Sequence, residues 1–152
     1  PVTRSVTVLW ERKNAAGPAG QDAQAEIAVS LCRALLTQGV QFQAAWSENG
    51  AACLTQEIRS MDDLIGLMPR LLSAAPYTDG LSSAETFCRT AEGPAAHIVY
   101  IAESVPPEAR LLKELGRVTA LLSGTETAAP EGFAVYALAG TDEAARLMEL
   151  EI

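Results

Sequence analysis

Two carboxylates stand where an open α/β sheet does its chemistry. Glu11 directly follows the β-rich run Val6-Thr7-Val8-Leu9-Trp10, and Glu103 follows the apolar run Ile98-Val99-Tyr100-Ile101-Ala102. Ends of parallel strands near a reversal of strand order are where such sheets place their sites, and these two ends are expected to be neighbours. A Mg²⁺-type ion takes several oxygen ligands, some of them water. Thr78 or Asp79, in Tyr77-Thr78-Asp79-Gly80, could approach the same point. The competing reading is two solvated acids on a loop-rich rim.

Other chemistry is poorly provided for. There is no GxxxxGK[ST] phosphate loop, no GxGxxG after the first strand and no GxSxG elbow. Gly17-Pro18-Ala19-Gly20 precedes a helix, where free N–H groups attract anions, but loop breaking explains both glycines. The single histidine, His97, begins its strand at the end of the sheet away from the expected site and reads as an edge or surface residue. Cys32 and Cys88 fall in helix interiors, where cysteine behaves as a small apolar residue. Cys53 lies at a hairpin edge with no basic neighbour in sequence to lower its pKa. Three widely spaced cysteines without a CxxC pair exclude a disulfide scaffold and a structural zinc site.

The elements that must position these residues alternate. Val6–Trp10 reads as a buried strand, and 11–21 as a loop. Asp22 caps a helix running to about Gln38 and ended by Gly39. Apart from Gln24 and a narrow stripe of Glu26, Ser30, Arg33 and Thr37, that helix is Ala, Ile, Val, Leu or Cys. It is therefore buried over most of its circumference. Val40–Trp46 is the second strand, Glu48-Asn49-Gly50 a tight turn, and Ala51–Gln56 an antiparallel third strand. Ser60 and Asp63 form a capping-box pattern opening a helix whose apolar face is Met61, Leu64, Ile65, Met68, Leu71 and Leu72, with Pro69 inside it as a kink or stop. A short helix over Ser83–Ala91, a buried strand over Ala96–Ala102, a helix from Pro106-Pro107 to Leu115, strands at Val118–Leu122 and Phe133–Leu138, and a C-terminal helix capped at Thr141 or Asp142 complete the order. The fold class is α/β: a three-layer, Rossmann-like sandwich, its sheet mostly parallel with one antiparallel edge hairpin strand.

Composition sets the outer bounds. One domain of 152 residues, 49% hydrophobic and 20% charged, can bury a sizeable core. A net charge of −8 argues against nucleic acid and against docking on anionic lipid. No stretch reaches the roughly 18 apolar residues of a spanning helix, and no signal peptide opens the chain. It starts at Pro1 rather than Met, as expected of a piece of a longer protein.

The element order resembles that of the von Willebrand factor A-type domain. More narrowly, Val6–Trp10, Glu26–Val40, Leu64–Leu72, His97–Ile101 and Phe133–Leu138 are similar in hydrophobic pattern to the C-terminal part of a bacterial family known as domain of unknown function fifty-eight. The resemblance implies a protein–protein interaction module, not an enzyme. It also implies anchoring by N-terminal helices absent from this sequence, a position at the cytoplasmic face of the membrane, and association with a MoxR-type AAA+ ATPase. A-type domains bind a divalent ion through Asp-x-Ser-x-Ser after the first strand, plus a Thr and an Asp from later loops. Here those positions fall on Glu11, Lys13 and Ala15, then Thr78 and Ala102 or Glu103. The hydroxyls are gone and an ammonium enters the site, so the expectation is a degenerate site with no metal and no other cofactor, in which Lys13 pairs with Glu103 or Glu11. The expected partner-binding rim is Glu11, Arg12, Lys13, Trp46, Tyr77, Asp79, Glu103 and Ser104, with Trp46 alternatively closing the core. The alternative function is a small-molecule or nucleotide-binding enzyme domain on a Rossmann-like sheet.

Overall fold

The computed structural model describes residues 6–13, 18–48, 50–73, 77, 80–91, 97–124 and 130–138. Strands β1 (Val6–Trp10), β2 (Phe42–Ser47), β3 (Cys53–Ile58), β4 (His97–Ala102), β5 (Arg117–Leu122) and β6 (Ala134–Ala137) form one sheet in the order β3-β2-β1-β4-β5-β6. Every neighbouring pair is parallel except β2–β3, the antiparallel edge hairpin. The chain winds one way from β1 to β2 and the other way from β4 onward, so the order reverses between β1 and β4.

Strand alternation separates two cores. Val6, Val8 and Trp10, with Val99 and Ile101, face α1 (Pro18–Thr37) and α2 (Met61–Ser73). Leu9, with Ile98, Tyr100 and Ala102, faces α3 (Ser83–Thr90) and a 3₁₀ helix, Pro107–Glu114. A central parallel strand has no solvent face, and all six residues of β4 are buried. The α1 contacts come from Ile27, Ala28, Leu31, Cys32 and Leu35, the apolar side of the helix expected from the sequence.

Several boundaries differ. Helix α1 starts at Pro18 rather than Asp22; proline's fixed φ and missing N–H suit a first helical position. Strands β2 and β3 lie one to two residues further along than the alternation suggested. Helix α2 passes through Pro69 to Ser73. Its buried face is Leu64 and Leu67, while Met61 and Ile65 are 43% and 60% exposed. The helix leans onto the sheet about one residue position away from the expected stripe. The side chains of Leu71 and Leu72, the turn residue Asn49, and the helix expected after Thr141 lie outside the described residues. The region from Pro107 is wound as 3₁₀ rather than α helix.

His97 is not an edge residue. Because β4 is central, His97 is 5% exposed and shares a 2.7 Å hydrogen bond between its Nε2 and the Thr119 hydroxyl. Burial, reinforced by the positive charge of Arg117, pushes its pKa down from 6.5 to about 4. The folded chain therefore resists a proton that the unfolded chain accepts between those values, so this contribution is complete above pH 6.5 and is lost as pH falls toward 4. Urea unfolding at pH 7 and pH 5 checks this: wild type loses stability between the two, and His97→Asn loses measurably less.

Candidate functional site

The site lies at the C-terminal ends of β1 and β4. The Glu11 N–H donates to the Ile101 carbonyl at 2.9 Å, which fixes the two strand ends side by side as the sequence suggested. The Glu11 side chain, however, turns inward and is 5% exposed. Its Oε2 accepts the backbone N–H groups of Arg12 (3.0 Å), Lys13 (3.1 Å) and Ser83 (2.8 Å). Its Oε1 accepts the Ala84 N–H at 3.2 Å and the Tyr100 hydroxyl at 2.8 Å. Ser83 and Ala84 open α3, so the carboxylate sits on a helix N-terminus, where free N–H groups favour negative charge. Burial, followed by the Glu11 charge, holds the Tyr100 phenol well above its ordinary pKa, so it stays a donor.

The start of α3 is built for this contact. Ser82 caps it, accepting the Glu85 N–H at 3.1 Å while Glu85 accepts the Ser82 N–H at 3.4 Å. The Ser83 hydroxyl accepts the Ser47 N–H at the end of β2 (3.1 Å). Leu81 donates to the Gly50 carbonyl at 3.2 Å. Gly50 has φ +77°, and a Cβ there would come within 2.7 Å of the Leu81 nitrogen, so only glycine allows the hairpin turn to lie this close to α3. Tyr77 ties in the chain arriving from α2: its N–H donates to the Arg12 carbonyl at 3.2 Å and its hydroxyl to the Leu81 carbonyl at 2.7 Å.

Burial removes much of the expected rim. Trp46 is fully buried among the α1 and α2 contacts, its indole N–H reaching Glu48 at 3.4 Å, so it closes the core and presents no ring to a partner. Arg12 is 2% exposed, with its guanidinium 4.3 Å from the Trp10 ring centre. Lys13 and Tyr77 are half-buried, and Glu103 and Ser104 are exposed. Ala15, Thr78 and Asp79 lie outside the described residues. The expected Lys13 ion pair does not form: among the described residues the one salt bridge joins Arg59 to Glu57 on the surface.

Between the strand ends lies a cleft of about 150 Å³, whose lining includes Lys13, Gln24, Glu103, Ser104 and Glu108. Gln24 is 1% exposed. Its carbonyl accepts the Trp10 indole N–H at 3.2 Å, and its amide nitrogen has no partner. An indole nitrogen only donates, so the amide orientation is fixed by chemistry. Sequence reasoning did not assign Gln24, Tyr100 or Ser83 to the site. Two of them leave a trace: Gln24 is the polar exception on an otherwise apolar helix, and Tyr100 carries a hydroxyl within a fully buried strand, where it needs a partner.

The described residues do not fit a divalent ion. Five donors already occupy the Glu11 oxygens, and Lys13 brings a positive charge to the lining of the same cleft. Among them no cluster of three or more His, Cys, Asp or Glu side chains is arranged for a metal. Burial pushes the Cys32 thiol up to about 12 and Cys88 to about 11, and also raises Cys53, so each is favoured as the neutral thiol.

Removing a single donor should cost less than removing the acceptor. Tyr100→Phe is expected to cost about 1.5–3 kcal/mol, and Glu11→Ala more, because it strands several buried N–H groups. In a double-mutant cycle by chemical unfolding, the pair should be non-additive by about 0.5–3 kcal/mol.

Comparison with sequence families finds no match, and comparison with curated proteins finds none either. Solved structures do match. An aerotolerance-related membrane protein from Bacteroides fragilis, carrying multiple mutations to serine, superposes with a TM-score of 0.57 at 12% identity, over 95% of each chain. A conserved hypothetical protein, BatB from Bacteroides thetaiotaomicron, gives 0.49 at 14% identity, over 79% of this chain and 66% of that one. At 12% identity the likeness to the Bacteroides fragilis protein concerns the fold alone, an α/β sheet that is mostly parallel with one antiparallel edge strand.

Proposed function

We propose that this chain is a non-catalytic protein–protein interaction module of the A-type class, working without a metal ion through the rim at the ends of β1 and β4. The observation that carries this reading is the inward-turned Glu11. The carboxylate that should begin an ion site is spent on α3 and Tyr100. Among the described residues the accessible part of the rim is left as the half-buried Lys13 and Tyr77 and the exposed Glu103 and Ser104, a mixture of charges and an aromatic ring that suits a contact surface. The one histidine is not beside it: His97 lies at the opposite end of β4, hydrogen-bonded to Thr119.

The resemblance to domain of unknown function fifty-eight adds a setting: a parent protein held at the cytoplasmic face of the membrane and assembled with a MoxR-type AAA+ ATPase. The Bacteroides fragilis neighbour is described as a membrane protein, which supports anchoring of the parent. No described helix is long and apolar enough to cross a membrane.

Affinity capture followed by quantitative mass spectrometry tests the rim. The full-length parent should retain a partner that Lys13→Glu combined with Glu103→Lys loses, while Ile65→Ser, on exposed α2, keeps it. Equal capture by all three proteins rejects the rim, and a retained set without an AAA+ ATPase rejects the MoxR assignment.

A further inference from the structure

The cleft beside Glu11 has chemistry that a protein contact surface does not require. Gln24 is buried with an amide N–H₂ that lacks an acceptor. Leaving a buried donor unpaired costs about 1–3 kcal/mol, and the carbonyl of the same side chain is already committed to Trp10. Lys13 lines the cleft and makes no ion pair among the described residues. As the side chains stand, neither donor has an acceptor. Glu103 and Glu108 line the same cleft, and their carboxylates form no ion pair among the described residues. Glu11 cannot serve either group, since five donors fill it.

Each simple ion answers half of this arrangement. A free anion would satisfy Lys13 and Gln24 but meet Glu103, Glu108 and a chain of net charge −8. A free cation would suit the acids but meet Lys13. A molecule bearing both charged groups on one carbon answers both halves and adds no net charge. The cleft, about 150 Å³ and open at the surface, has room for a small molecule.

We propose that this cleft binds a small free α-amino acid, its carboxylate received by Lys13 and the Gln24 amide and its ammonium by Glu103 and Glu108. Binding shares Lys13 and Glu103 with the proposed rim but needs no second protein, so titration of the chain alone can fail or succeed separately from partner capture.

Titration of the ¹⁵N-labelled chain tests it, since the Gln24 side-chain amide gives its own pair of signals. Glycine and alanine are the probes; sodium acetate and ethylammonium chloride at matched ionic strength are the controls. The expected result is a saturable shift of the Gln24 amide pair and of the Lys13 and Glu103 backbone signals with the amino acids. Lys13→Met and Glu103→Gln should each weaken it about ten-fold, as loss of one charge-assisted contact implies. Melting curves establish that both variants remain folded, and Glu103, being exposed, gives the second variant if Lys13→Met does not fold. The proposal is overturned by no saturable shift from either amino acid, by acetate or ethylammonium producing the same shifts with equal affinity, or by unchanged affinity in the folded variants.

Discussion

A single buried carboxylate holds this fold together at its functional end. Glu11 leaves β1, and its oxygens collect N–H groups from its own loop and from the first turn of α3, plus a hydroxyl from β4. A charge in this position is expensive to bury unless fully paired, and here the pairing is supplied by groups that would otherwise be orphans: helix-start N–H groups have no intrahelical partner. Three elements that could slide past one another are thereby fixed at one point. The Ser82–Glu85 cap, the Ser83–Ser47 bond and the close approach of Gly50 to Leu81 all serve to present that helix start.

The consequence for function follows from the same contact. An acid turned inward cannot also lie open to an ion or a partner. Burial removes Glu11, Arg12 and Trp46 from the surface together, and the rim that remains among the described residues is smaller than the sequence suggested, with Lys13 and Glu103 as its charged groups. Lys13 then stands at the mouth of a cleft instead of in an ion pair.

The order of elements and the sheet class were legible because they rest on periodicity. The unbroken short apolar run of β4 and the long apolar face of α1 are local patterns. The antiparallel hairpin followed from a turn signal at Gly50, which indeed has positive φ. What escaped was set by distance in sequence. The partners of Glu11 lie 72, 73 and 89 residues away, at Ser83, Ala84 and Tyr100, and no local pattern announces them. His97 was misplaced because strand order, not strand sequence, decides which strand is central. The buried face of α2 shifted because Met61 and Ile65 are as apolar as Leu67, and only packing chooses among them. Gln24 was visible as an anomaly, but its meaning required knowing that Trp10 stands opposite.

Isothermal titration with Mn²⁺ and Mg²⁺ is the most direct measurement of the account's centre. If Glu11 is a structural tether filled by five donors and Lys13 excludes a cation, neither ion gives saturable heat, and Glu11→Ala loses stability to the same degree with and without metal. Micromolar binding that disappears in Glu11→Ala, while Tyr100→Phe retains it, would contradict the account and return the carboxylate to the role of an ion ligand.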